Sequence, residues 1–237
     1  MMQGIRMRSR AFPSISFIAM TITWYGLSCF KIETRDATLA FSPFSKIEEW
    51  GIQKSPRFKA DIVFVSQDTP AYNGVSGIED GAIRIDEPGE YEAKGVFSYG
   101  IATANPKQKD AVQNTVFVVR AEQMTIGFLG GLTDAKLPEE TVHKLEGVDI
   151  LFLPVGGAGA CTASYAANLV SQLEPSVIVP MHYKVPGMKG RMDGIETFLK
   201  EINMKAEEQD KVSIKQRDIS ESETRLVLLR PQLVSKS

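Results

Sequence analysis

Asp61-Ile62-Val63-Phe64-Val65-Ser66-Gln67-Asp68-Thr69-Pro70-Ala71-Tyr72-Asn73-Gly74 is the stretch whose reading decides the fold. Ile62 to Val65 are consecutive, apolar, and β-branched or aromatic, which suits a strand covered on both faces. The run then breaks into polar residues and closes on Asn73-Gly74, a turn signal. In layered α/β folds, sites collect where such strands give way to loops. This loop is therefore the expected place for chemistry. It offers one carboxylate, Asp68, a proline in its middle, and neither histidine nor cysteine.

Working outward, Thr21–Tyr25, Ser28–Glu33 and Thr38–Phe41 read as three short strands separated by Gly26 and Arg35-Asp36, an antiparallel meander. Ser45–Trp50 reads as a helical turn, Ile83–Ile85 as a strand, and Glu87-Pro88-Gly89-Glu90 as a turn. Gly95–Thr103, Asn114–Arg120 and Met124–Leu129 are further strands, with a polar loop tip over Asn105–Asp110. From Gly130 the texture changes. Pro138 opens a helix with Glu139 and Glu140 in its first turn, where acids suit the helix dipole. Strands over Asp149–Pro154 and Val177–Val179 alternate with helices over Thr162–Leu173 and Asp193–Asn203. Val212–Ile214 and Arg225–Leu229 are the last strands. A strand-rich half followed by alternating helix and strand predicts two sheets packed face to face with helices outside.

Composition bounds the function. The formal net charge is -2 and no Lys/Arg block marks a basic surface, so nucleic acid is not an expected partner. No apolar run approaches the about 18 residues that span a bilayer. Cys29 and Cys161 are far apart and lack metal-type spacing, so the expectation is two reduced thiols in a cytoplasmic protein. Residues 1–19, with Arg6, Arg8 and Arg10 before an apolar stretch broken by Pro13, read as a disordered extension, with a weak export signal as the alternative; 20–237 read as one domain.

Four further segments carry a resemblance. They are Ile22-Thr23-Trp24-Tyr25-Gly26-Leu27-Ser28-Cys29-Phe30, Phe41-Ser42-Pro43-Phe44, Pro88-Gly89-Glu90-Tyr91-Glu92, and Asp149 to Gly157 with Pro180-Met181-His182-Tyr183-Lys184. Together they resemble the metallo-β-lactamase superfamily, in its small stand-alone hydrolase branch that includes proteins similar to ascorbate-6-phosphate lactonase. The resemblance implies a four-layer αββα sandwich and a zinc-dependent hydrolase site. It also implies where ligands belong. Gln67, Thr69, Ala71 and Tyr72 stand at the positions of the family's His-x-His-x-Asp-His, with Asp68 on a spacer. Gly131 stands for the bridging Asp, Thr162 for an acidic residue, Leu27 for a His and Ser42 for an Asp; His182 alone matches.

The polar site residues differ while the Gly, Pro and aromatic scaffold of the same motifs is kept. Zinc needs three or four N, S or O ligands. The chain holds two histidines, and His143 falls on an expected surface helix. The expectation is a protein without the family's zinc or any other cofactor, serving as a binding or regulatory subunit with a protein partner or a second copy. The emptied pocket is expected at Leu27, Ser42, Gln67, Thr69, Ala71, Tyr72, Gly131, Gly156, Gly157, Thr162 and His182. Gly156-Gly157 before a helix start suggests a cradle for a small anionic ligand. The rival expectation is a hydrolase of a lactone or phosphoester. It would use His182 with Thr69 or Ser66 as nucleophile, or Asp68 or Asp134 beside His182 for acid–base work.

Overall fold

The computed structural model describes residues 19–78, 81–103, 113–219 and 223–232. The extension expected over 1–19, except its last residue, and the loop tip over 105–110 lie outside the described residues. Two sheets make up the fold. The first has six strands in the order β13-β1-β2-β3-β4-β5. These are β1 (Met20–Gly26), β2 (Cys29–Glu33), β3 (Thr38–Phe41), β4 (Ile62–Phe64), β5 (Ile83–Ile85) and β13 (Lys211–Ile214). The second has eight, in the order β12-β14-β11-β10-β9-β8-β7-β6. They are β6 (Gly89–Ala93), β7 (Val96–Thr103), β8 (Asn114–Ala121), β9 (Met124–Phe128), β10 (Ile150–Pro154), β11 (Val177–Met181), β12 (Ala206–Gln209) and β14 (Arg225–Leu229).

The expected meander is present, with β1, β2 and β3 pairing antiparallel. β4 then adds parallel to β3. In the second sheet the strands turn from antiparallel to parallel at β9. Three helices, α1 (Glu139–Leu145), α2 (Ala163–Leu173) and α3 (Ile195–Ile202), connect its parallel strands. The strand order advances in one direction from β9 through β11 to β12, so right-handed crossovers set all three helices on one face.

The continuous apolar run of β4 is explained by burial on two sides. Ile62 and Phe64 enter the core between the sheets. Val63 and Val65 face a second apolar cluster with Phe44, Ile47, Phe58 and Tyr72. Segments of 44–58 and 71–78, with short 3-10 turns at Glu48–Trp50 and Val75–Gly77, supply this outer cover.

Two strands escape the sequence reading for the same reason. β6 and β12 are edge strands carrying Glu90 with Glu92 and Glu207 with Glu208, so neither shows apolar alternation. Charge on an edge discourages pairing with another chain. The turn expected at Glu87–Glu90 is already strand from Gly89. Among the described residues, no helix is long and apolar enough to cross a membrane.

Six phenylalanine rings join the sheets. Phe41 lies 4.7 Å from Phe64 and 4.8 Å from Phe128 between ring centres. Phe30 meets Phe152 at 4.5 Å, and Phe64 meets Phe117 at 5.2 Å. Three rings come from each sheet. Phe41→Ala should therefore cost about 3–5 kcal/mol, read as a lower urea midpoint at unchanged slope. A loss under about 1 kcal/mol would mean that the sheets are not joined through this cluster.

Candidate functional site

The expected site positions gather at strand ends. Leu27 follows β1, Ser42 follows β3, and the loop 65–74 follows β4. Gly131 lies beyond β9, Gly156 beyond β10, and His182 directly after β11. β1, β3 and β4 run in the same direction, as do β9, β10 and β11, so each sheet presents these loops at one edge.

Three of the residues hold left-handed backbone without being glycine: Leu27 (φ 46°), Ser42 (φ 38°) and His182 (φ 53°). Such conformations cost about 1–3 kcal/mol each and persist when the surroundings fix them. The Leu27 carbonyl accepts from both the Trp24 indole and the His182 backbone N–H, each at 3.0 Å. Ser42 Oγ meets Ser66 Oγ at 2.9 Å and accepts from the Ser66 N–H, while the Ser42 N–H donates to Phe64 O.

His182 is 1% exposed. Its Nδ1 lies 3.3 Å from Ser28 Oγ and 3.2 Å from Tyr72 Oη. The Tyr72 ring stacks on the imidazole, 5.3 Å between centres and 6° from parallel. Trp50 presents its ring edge-on at 6.1 Å. Burial lowers the His182 pKa from its ordinary 6.5 to about 4, so the ring is neutral at pH 7. Burial pushes the Tyr72 phenol up, with a Ser28 hydrogen bond opposing it. Cys29 and Cys161 are buried and their thiols are likewise held well above the usual range.

The remaining positions divide. Gln67 Nε2 donates to the Gly131 carbonyl at 3.1 Å. Ala71 is buried in the outer apolar cluster. The Thr69 carbonyl caps the turn at Pro70 by accepting from the Tyr72 and Asn73 N–H groups. Asp68 is exposed and bonded to Asn73, not to His182. Gly156 is glycine because a Cβ there would lie 2.2 Å from the His182 carbonyl.

Several expected pairings do not form. Asp134 accepts from Thr162 N and Oγ, both at 2.8 Å, and so is not a partner of His182. The same carboxylate sits at the N-cap of α2, while the Gly157 N–H donates to the Cys161 carbonyl. Ser66 pairs with Ser42, and the hydroxyls beside His182 are those of Ser28 and Tyr72, not Ser66 or Thr69.

Sequence reasoning passed over three contributors. Ser28 sits inside a motif quoted above, one residue beyond the position singled out. Asn114 sets the 129–131 turn: Nδ2 donates to Leu129 O, and Oδ1 accepts from Gly131 N at 2.8 Å. Trp50 carries no local signal, because its role depends on a loop that folds back over His182.

The family model for the beta-lactamase superfamily domain matches residues 21–182. The chain belongs to the metallo-beta-lactamase superfamily. A solved structure from Thermotoga maritima, proposed to be a Zn-dependent hydrolase of this superfamily, is 28% identical with a TM-score of 0.70, covering 89% of this chain and 100% of that one. The UPF0173 proteins of Pyrococcus abyssi and Pyrococcus furiosus are 24% and 25% identical, over 71% and 69% of this chain and 85% and 83% of their own length. The metallo hydrolase Igni18 of Ignicoccus hospitalis shares the fold at 16% identity and a TM-score of 0.59, over 90% of this chain and 96% of that one.

Zinc in a superfamily site needs several imidazole, thiolate or carboxylate donors at about 2.0–2.3 Å. Among the described residues, no three His, Cys, Asp or Glu side chains lie together so as to hold a metal. At the site, Tyr72 packs against the one imidazole and Gln67 is turned to a backbone carbonyl. The residues present do not fit a zinc centre.

The buried imidazole sets a pH dependence. Below its ordinary pKa of 6.5 the unfolded chain binds a proton that folded His182 refuses until about pH 4. The His182 contribution is therefore constant above pH 7, and about 3 kcal/mol of it is lost between pH 6.5 and 4. His182→Asn tolerates the left-handed backbone and cannot titrate. Chemical denaturation should show a shallower decline from pH 6.5 to 5 in the variant than in the wild type. Parallel slopes would place the titration elsewhere.

Proposed function

We propose that this chain is a metallo-beta-lactamase-fold protein that works as a binding or regulatory subunit and not as a metallohydrolase. The observation that carries this reading is the packing of Tyr72 on His182. A phenol stands against the imidazole where the family resemblance expects a metal ligand. The left-handed residues at Leu27, Ser42 and His182 support it as well. They are the strained backbone of a site whose expected ligands stand replaced by Gln67, Thr69, Ala71, Tyr72 and Gly131.

A surface for binding remains. A cleft of about 1290 Å³ lies between α1, the loop 133–138 and α2, with Leu137, Val142 and Leu169 among its apolar lining and Lys136, Glu139 and Gln172 among its polar lining. On this reading the cleft takes a protein surface, from another chain or a second copy, through that mixed apolar and polar lining. The two buried free cysteines fit a reducing compartment such as the cytoplasm. Residues 20–237 are read as one unit because both sheets contribute to one core cluster.

The second reading is hydrolysis of a lactone or phosphoester through His182 without metal. The Thermotoga relative's proposed activity and the Ser28–His182 contact favour it. Burial argues against it: Ser28 is 0% and His182 1% exposed, so a substrate would reach neither. Elemental analysis of protein purified without chelator separates the main reading from its metal-dependent relatives. The expected content is a small fraction of one zinc, iron or manganese ion per chain. Near-stoichiometric metal that survives dialysis would overturn the proposal.

A further inference from the structure

Gly131 is not left-handed, so no backbone demand makes it glycine. A Cβ built there would lie 2.4 Å from Gln67 Nε2, 2.7 Å from Tyr72 Oη and 2.8 Å from Gln67 Cδ, closer than real Cβ atoms come. The same two side chains make directed contacts. Gln67 Nε2 donates to the Gly131 carbonyl at 3.1 Å, and Tyr72 Oη reaches His182 Nδ1 at 3.2 Å. Gln67 and Tyr72 extend from the loop after β4, in the six-stranded sheet. Gly131 and His182 stand beyond β9 and β11, in the eight-stranded sheet.

We propose that Gln67, Tyr72, Gly131 and His182 form a metal-independent clasp that ties the two sheets together at the site edge, and that position 131 is glycine because the clasp leaves no room for a side chain. The proposal rests on the metal-free reading above. Two hydrogen bonds and one ring stack then join loops of the two sheets at the positions the resemblance assigns to ligands. The identities at 67, 72 and 131 depend on one another. A carboxylate at 131 and the pair Gln67–Tyr72 compete for the same space.

This interdependence gives a change of sign that a general packing role would not. At a permissive backbone, Gly→Ala ordinarily stabilises a protein slightly by restricting the unfolded chain. In the wild-type background Gly131→Ala should instead lower Tm by roughly 5–10 °C through overpacking. In a Gln67→Ala/Tyr72→Phe background the three crowding atoms are gone. There the same substitution should leave Tm unchanged or raise it. If Gly131→Ala alone does not fold, the comparison of the triple variant with the double variant still decides. If the double variant does not fold, Gln67→Ala alone removes two of the three crowding atoms and gives the same comparison on a smaller scale. Equal losses in both backgrounds, or no loss in the wild type, would overturn the clasp. A parallel melt of the wild type with EDTA, and with added zinc, reads the metal question separately, and both Tm shifts are expected to stay within about 1 °C. A lower Tm in EDTA would overturn the metal-free reading itself, whatever the glycine variants show.

Discussion

Three phenylalanine rings from each sheet meet between the sheets, and the placement of every site residue depends on that contact. Phe41 ends β3 and Phe64 ends β4, so the rings that seal the core are the last residues before the loops carrying Ser42 and Gln67. Phe128 ends β9 in the same way, three residues before Gly131. The dry interface therefore fixes the strand ends, and the strand ends fix where the loops of the two sheets face one another. Burying each such ring contributes about 1.5–3 kcal/mol, more than any single hydrogen bond at the site edge.

The site edge shows what a buried polar cluster requires. His182 is neutral, deeply buried, and in contact with Ser28 and Tyr72, so its desolvation is not left uncompensated. On the proposed reading, the backbone of a metal site persists while its side chains have changed. Strained residues at Leu27, Ser42 and His182 are kept because neighbouring hydrogen bonds over-determine them, and these bonds involve the main chain at Leu27 O, Phe64 O and the Ser66 N–H. Ligand side chains can be exchanged without disturbing such a frame. The frame itself cannot be relaxed one residue at a time.

Much of the fold was legible in the sequence. The β4 run, the meander of β1 to β3 and the helix–strand alternation after Gly130 each follow from apolar periodicity, which burial imposes directly. The edge strands β6 and β12 were not legible, since an edge strand with charged side chains buries too little to leave a pattern. At the site, positions adjacent to strand ends were readable through the family resemblance, but contacts were not. Asp134 is an acid near the site in sequence, yet Thr162 holds both of its oxygens. Ser28 and Trp50 meet His182 only because chain segments more than a hundred residues apart fold together. No left-handed backbone angle bars an aspartate at Gly131. The obstacle is steric instead, and lies in Gln67 and Tyr72.

The central claim is that the superfamily frame is intact and only its ligands are absent. Restoring them tests it most directly. The variant Gln67→His/Thr69→His/Ala71→Asp/Tyr72→His/Gly131→Asp removes the two side chains that crowd position 131 and, with His182, supplies four imidazoles and two carboxylates. Isothermal titration calorimetry with zinc should give no binding heat for the wild type and measurable binding for the variant. Affinity should be modest, because Pro70 constrains the loop and ligands about 1 Å out of place bind loosely. A folded variant that takes up no zinc at millimolar concentration, or a wild type that binds zinc tightly, would contradict the account.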